Sequence, residues 1–193
     1  MSLTIFFGPM FSGKTTQLLS ELTRFVDVSD KPCILINHVF DNREFGIGDV
    51  SSHNSSFKGV SHKIQTYKTN DLHKIKVDEF DIIGIDEAQF FENLENIVDS
   101  WIQKGKNVVV SGLISDAFMK PFGEIFKLIP KADKVIQVHS ICKECLNEYV
   151  GILTPDILNS MKAPFTMRIA GGCDQIEVGA ADKYIPVCRK HFF

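Results

Sequence analysis

Apolar residues in this chain fall in short runs, and their spacing inside the runs is of two kinds. Leu3 to Phe7 is a near-continuous apolar run, which predicts a strand buried on both faces. Leu18, Leu19, Leu22 and Phe25 instead fall on one face of a helix. Asp30-Lys-Pro32 breaks that pattern, and Cys33-Ile-Leu-Ile-Asn37 predicts a second buried strand. A strand–helix–strand opening implies a parallel sheet with a right-handed crossover. From His38 to Lys63 the chain turns polar, a stretch long enough to expect a functional or mobile loop. Lys63 to Tyr67 predicts a short strand and Asp71 to Ile75 a short helix. A further apolar strand from Phe80 ends on Asp86-Glu87. Ile97, Val98, Trp101 and Ile102 are helically spaced, with Gly105 as the stop signal and Trp101 expected in the core. Asn107 to Gly112 and Lys134 to His139 read as two more strands, separated by an aromatic-rich loop from Leu113 to Phe126.

Candidate chemistry gives the first strand and helix a purpose. Between them lies Gly8-Pro-Met-Phe-Ser-Gly-Lys14-Thr15, which fits the phosphate-binding pattern G-x-x-x-x-G-K-[ST]. Gly8 and Gly13 allow the backbone to curl until successive N–H groups face a phosphate, and the helix N-terminus adds partial positive charge. Lys14 is placed to reach β- and γ-phosphates, and the Thr15 hydroxyl to ligate Mg²⁺. The apolar strand ending on Asp86-Glu87 has the form of a Walker B segment. A carboxylate at a strand's C-terminal end lies in the crevice where open α/β sheets bind ligands. Asp86 suits Mg²⁺, and Glu87, pointing differently, suits taking a proton from an attacking hydroxyl. Arg43 in the polar stretch is a candidate phosphate contact. Aromatics of the 113–126 loop, Phe118 and Phe122 among them, could pack on a base or simply fill the core.

The last fifty or so residues change character. Cys142-x-x-Cys145 is answered, about forty residues on, by Cys188-x-x-His191, a set that suits tetrahedral zinc. Four protein ligands leave no open position, so the expected role is structural. Cys173, in a Gly-Gly-Cys context, is an alternative ligand or a free thiol. Five cysteines, an odd number, argue in a reducing compartment against a disulfide framework and for metal ligation by the closely spaced pairs. The expected organisation is an α/β P-loop domain over 1–140 and a small zinc-binding domain over 141–193.

Composition narrows the class. A formal charge of −3 and a pI near 6.1 provide no basic footprint, which argues against a nucleic-acid partner. No apolar run is long enough to span a bilayer and no secretion signal is visible, so no membrane partner and a cytoplasmic protein are expected. Two rival readings remain open on these residues: an ATPase or switch in which Glu87 activates water, and a zinc-ribbon module with a regulatory nucleotide site.

Over nearly its whole length the chain resembles the type II thymidine kinases. The landmarks are the Gly-Pro-Met-Phe wording of the phosphate loop, Asp41-Asn-Arg43, Asp86-Glu-Ala-Gln-Phe-Phe91, Lys120-Pro-Phe-Gly123 and Ala181-Asp-Lys-Tyr-Ile-Pro-Val-Cys-Arg189. The resemblance implies a P-loop NTPase-like parallel sheet flanked by helices, with a zinc-tethered lasso closing over thymidine. It implies Glu87 as the base on the sugar 5′-hydroxyl, and Asp86 and Thr15 as Mg²⁺ partners. On the ATP side it implies Gly8, Pro9, Met10, Phe11, Ser12, Gly13, Lys14, Thr15, Asp41, Arg43, Asp86 and Gln89. Around thymine it implies Met10, Phe90, Leu113, Phe122, Thr166 and Tyr184, with the backbone of Gln175, Ile176, Glu177, Val178 and Gly179. It further implies a homotetramer and inhibition by the end product dTTP. Departures touch the base side: Ile114 replaces the family's Asp, and its pocket Phe falls on Ala117, leaving Phe118 one residue later. Either the loop shifts so that Phe118 fills the pocket, or base packing differs and a deoxynucleoside kinase of relaxed selectivity results. Residues 153–163 are longer and more apolar than a typical lasso.

Overall fold

The computed structural model describes residues 1–41, 63–172, 174–176 and 181–193. Arg43, Cys173, Glu177, Val178 and Gly179 lie outside the described residues.

Six strands form one parallel sheet: β1 (Ser2–Phe7), β2 (Cys33–His38), β3 (Ile64–Thr69), β4 (Ile82–Asp86), β5 (Asn107–Gly112) and β6 (Lys134–Gln137). Their spatial order is β3-β2-β4-β5-β1-β6. The register sets Cys33 beside Ile82, Ile82 beside Asn107, and Asn107 beside Ser2. All the strands therefore present their C-terminal ends along one edge, with β5 standing between β1 and β4. The expected α/β architecture is the one observed.

The apolar runs are explained by burial on both faces. On one face α1 (Lys14–Ser29) lays Leu18, Leu19, Leu22 and Val26 against Phe6, Leu35 and Val109. On the other, α2 (Leu94–Gln103) packs Leu94, Val98 and Trp101 among Leu3, Ile5, Ile36, Ile83 and Val110. A side chain of this size contributes about 1.5–3 kcal/mol on full burial, so these two layers dominate the fold's stability. Helix and sheet meet closely at Gly84, where an added Cβ would stand 2.5 Å from a methyl of Leu22. α1 ends where Asp30 takes a left-handed conformation (φ 54) and donates its N–H to the Val26 carbonyl, just before Pro32.

Beyond β6 the elements shorten. The C-terminal part comprises β7 (Ser140–Ile141), α4 (Lys143–Glu148), α5 (Pro155–Ser160), β8 (Lys162–Ala163), β9 (Phe165–Arg168), β10 (Tyr184–Val187) and α6 (Arg189–Phe192), following the single-turn α3 (Ile125–Leu128). β9 and β10 pair antiparallel, as do β7 and β8. Their apolar centre is small: Cys142, Ala163 and Val187, flanked by Phe165, Met167, Ile185 and Phe192. The apolar 153–163 stretch is ordered by local signals, since Thr154 accepts the Ile157 N–H (3.3 Å) and Pro155 occupies the first turn. Among the described residues no helix is long and apolar enough to cross a membrane.

Candidate functional site

The glycine loop leaves β1 with no room for a side chain at its first residue: a Cβ on Gly8 would lie 2.0 Å from the Val138 carbonyl oxygen. Gly13 adopts φ +80, and Phe11 shares the left-handed region at φ 61, an arrangement that costs free energy for a bulky residue. The Pro9 carbonyl accepts from both the Lys14 amine (2.7 Å) and the Ser12 hydroxyl (2.8 Å), so a buried Lys14 crosses the inside of the loop.

Lys14 and Thr15 open α1, and Thr15 faces the end of β4. Its hydroxyl donates to Asp86 Oδ2 at 2.8 Å, while the Ser111 hydroxyl at the end of β5 donates to Oδ1. Asp86 is 1% exposed. Three adjoining elements thus gather hard oxygen donors at the crevice of the sheet, the donor type that magnesium prefers. Glu87 leaves the strand in a left-handed conformation (φ 50). Its carboxylate accepts from Gln89 Nε2 (2.7 Å), and Gln89 Oε1 accepts the Leu113 N–H (2.9 Å). Gln89, expected on the phosphate side, here spans Glu87 and the start of the 113 loop. Two neighbouring carboxylates consequently have separate settings, one among hydroxyls and one held by an amide. Asp41 is buried just past β2, its N–H donating to the His38 carbonyl (3.0 Å).

Beside Glu87 stands an aromatic wall. Phe90 meets Phe122 edge-on at 5.5 Å and also contacts Phe40 and His38. His38 lies beneath this wall, its Nδ1 accepting the Phe40 N–H (3.2 Å), and burial lowers its pKa. Leu113 is half-buried nearby. Phe118 does not enter the core: it is 43% exposed, with the Arg168 guanidinium 5.4 Å from its ring. Arg168 lies equally close to the Tyr184 ring (5.3 Å) and donates to the Tyr184 hydroxyl (2.8 Å). Tyr184 and Thr166 are buried, and the Thr166 hydroxyl oxygen accepts the Met10 N–H at 2.9 Å. That bond joins the C-terminal hairpin directly to the glycine loop. Ser140 adds a second tie, donating to the Phe11 carbonyl (3.1 Å). Gln175 supplies a third from its side chain, donating to Asp116 Oδ2 (2.9 Å) and the Pro121 carbonyl (3.1 Å). Ile176, beside it, is exposed.

Cys142, Cys145, Cys188 and His191 converge, with their ligand atoms all within 4.8 Å of one another. His191 Nδ1 is 3.4 Å from each sulfur, and the Cys145 and Cys188 sulfurs are 3.7 Å apart. Zinc takes Zn–S bonds of about 2.3 Å and Zn–N bonds of about 2.0–2.1 Å, and the edges of such a tetrahedron have these lengths. The set fits zinc. Burial, with the neighbouring sulfurs, pushes the Cys145 thiol up to about 12. Burial also opposes ionisation of Cys142 and Cys188, yet backbone N–H groups donating to their sulfurs hold both below the ordinary thiol range. The cluster thus contains both thiols that ionise readily and one that needs a cation to do so. Glu148 Oε1 lies 3.1 Å from His191 Nε2 and orients the ring.

The motif residues were legible in the chain, whereas Ser111, Asp116 and Glu148 were not picked out. Ser111 had a faint signal, a hydroxyl closing an otherwise apolar strand. Glu148, one helical turn after Cys145, looks like any exposed acid, and Asp116 gains its partners only through tertiary folding.

The thymidine kinase family model matches residues 1–192. The chain is 41% identical to the thymidine kinase of Choristoneura fumiferana entomopoxvirus, covering 98% of this chain and 95% of that protein. Thymidine kinase 1 of Dictyostelium discoideum is 34% identical over 96% of this chain and 74% of its own length. The cytosolic thymidine kinase of Gallus gallus is 31% identical, with 98% of this chain and 75% of that protein covered.

Proposed function

The chain belongs to the thymidine kinase family, and from that premise we propose that it transfers the γ-phosphoryl group of ATP to the 5′-hydroxyl of thymidine. The observation that carries the reading is the separation of Asp86 and Glu87: adjacent carboxylates, one bonded to Thr15 and Ser111, the other accepting from Gln89 in the turn that leads to Phe90. Such a pair can hold a cation and a substrate proton at the same time.

In this reading the glycine-loop amides, Lys14 and Arg43 bind the ATP phosphates. Pro9, Met10, Phe11, Ser12 and Gly13 shape the loop, with Asp41 and Gln89 at its margins. Thr15 and Asp86 hold Mg²⁺, which neutralises phosphate charge when bound. Glu87 accepts the proton of the 5′-hydroxyl as the new O–P bond forms and the bond to the β–γ bridging oxygen breaks, releasing ADP. The transition state is loose, so most of the acceleration comes from positioning and charge neutralisation. Met10, Phe90, Leu113, Phe122, Thr166 and Tyr184 enclose the base, while the backbone from Gln175 to Gly179 reads its edge. Phe118, beside the Arg168 guanidinium, is proposed to line the same pocket. Structural zinc at Cys142, Cys145, Cys188 and His191 ties the ends of a lasso over 141–193 to a P-loop domain over 1–140. Assembly as a homotetramer, inhibition by dTTP and a cytoplasmic location have the family resemblance as their support.

ATP-dependent phosphorylation across a panel of nucleosides, with and without DNA, tests the reading. Thymidine is expected to be the preferred acceptor and DNA to have no effect. Rapid ATP hydrolysis indifferent to thymidine would replace the reading with an ATPase. Equal rates on several deoxynucleosides would reduce it to a kinase of relaxed selectivity.

A further inference from the structure

Asn37 ends the apolar run of β2, a central strand, and it is 2% exposed. Among the described residues, neither its amide nitrogen nor its amide oxygen has a hydrogen-bond partner. A buried primary amide with both ends unsatisfied keeps the full desolvation penalty of its polar atoms, and such groups are rare enough in folded proteins to need a reason.

Register shows where the amide stands. Asn37 is the parallel partner of Asp86, as Leu35 is of Gly84 and Cys33 of Ile82. Partners on neighbouring parallel strands share a face, and residues two apart on one strand share it too. Leu35 belongs to the layer packed on α1, its Cδ1 lying near Gly84 beside Leu22. Asn37 and Asp86 continue that row by one step towards the start of α1, where Thr15 bonds to Asp86. The alternate residues Ile34, Ile36 and His38 face the other layer and the aromatic wall. On its β5 side Asp86 is flanked by Ser111, which donates to it. On its β2 side it is flanked by Asn37, with neighbouring strands about 4.8 Å apart.

We propose that Asn37 is a positioning residue for the hydrated divalent cation that accompanies the nucleoside triphosphate, its amide oxygen accepting from a metal-held water beside Asp86. This rests on the assignment of Thr15 and Asp86 to the cation. A dry strand end would be better served by Leu or Val in this row, since either continues the packing of Leu35 without a stranded dipole. Asn can instead offer one acceptor and two donors at fixed height over the crevice. Hydrated magnesium keeps several waters that need such acceptors.

The test is thermal unfolding of the full chain, wild type and Asn37→Leu, with no ligand, with MgCl₂ and ATP, with ATP and EDTA, and with thymidine. The ligand-free variant is expected to melt no lower than wild type, because an unsatisfied amide has gone. The Tm rise caused by magnesium with ATP should fall by at least half, and the rises caused by ATP with EDTA and by thymidine should stay unchanged. The Mg²⁺ concentration at half-maximal effect should rise about 10-fold or more, as is usual on loss of an outer-shell partner. Equal magnesium-dependent rises in the two proteins would overturn the inference while leaving the cation site intact. Absence of that rise in wild type would overturn the cation assignment as well. Asn37→Ala replaces the Leu variant in the same comparison should Leu prevent folding.

Discussion

The two ends of the molecule solve the same problem by different means. The phosphate side is built on a parallel sheet whose strands are apolar on both faces, so Thr15, Asp86 and Ser111 stand on a rigid edge. The base side rests on two-stranded ribbons and single-turn helices around Cys142, Ala163 and Val187. A core of that size cannot offset the conformational entropy of the segments it orders. The four-ligand cluster fits a zinc ion, which would supply what packing does not. In the proposed function, the fixed anion cradle is set on the sheet, while the part that would admit and release the nucleoside is set on a strap. Among the described residues, hydrogen bonds between the two sides include Met10 to Thr166, Ser140 to Phe11, and Gln175 to both Asp116 and the Pro121 carbonyl.

Removing zinc is the strongest way to break the contrast. Structural zinc is worth apparent free energies of about 10–16 kcal/mol in zinc-finger peptides, so chelation, or Cys145→Ser, should melt the base side alone. Hydrogen exchange should accelerate in β9, β10 and α4 while β1, β4 and β5 stay protected, and the KM for thymidine should rise more than that for ATP. Metal analysis should find one zinc per chain; a zinc-free, fully active protein would refute the role of the cluster. Leu22→Ala is the complementary change, opening a cavity between α1 and β4. It should lower global stability by about 2–5 kcal/mol in denaturant titration, more than Val187→Ala does. Equal losses would mean that the two cores are not unequal after all. Gly8→Ala drives a Cβ against a backbone carbonyl that cannot rotate away, and such overpacking should cost about 1–3 kcal/mol with a matching loss of ATP-induced stabilisation.

The smallest expected effect sits at the seam. Burial holds the folded-state pKa of His38 below its ordinary 6.5, so acid protonates the unfolded chain first. His38 therefore contributes stability that is present above pH 6.5 and is lost as pH falls through the lower folded value. Protonation also turns Nδ1 into a donor facing the Phe40 N–H. Tm measured from pH 7.5 to 5 should show this fall, and His38→Phe should flatten it. An unchanged slope would assign the pH dependence to other groups.

Much of this was legible in the chain because it is local. Alternating buried strands and helices, the glycine loop, the Asp86-Glu87 pair and the two metal knuckles each announce themselves within a dozen residues. The order of the strands did not, and it is the insertion of β5 between β1 and β4 that brings Ser111 to Asp86. The left-handed turn at Glu87 was equally hidden, since nothing in a Glu marks a positive φ. Asp116 and Glu148 looked like solvated acids, and only tertiary contact turns one into a tether and the other into a support for His191. The stacking of Arg168 on Phe118 was hidden for a related reason, since the two residues are fifty apart in the chain and meet only through tertiary folding.

The central claim is that Glu87 takes the proton of the acceptor hydroxyl while the phosphate side binds ATP without its help. It is tested most directly by the kcat of Glu87→Gln for ATP-dependent thymidine phosphorylation, with the MgATP-induced rise in Tm read on the same sample. The account predicts a fall of about 10²–10⁴-fold in kcat with the Tm rise retained. An unchanged kcat would contradict it.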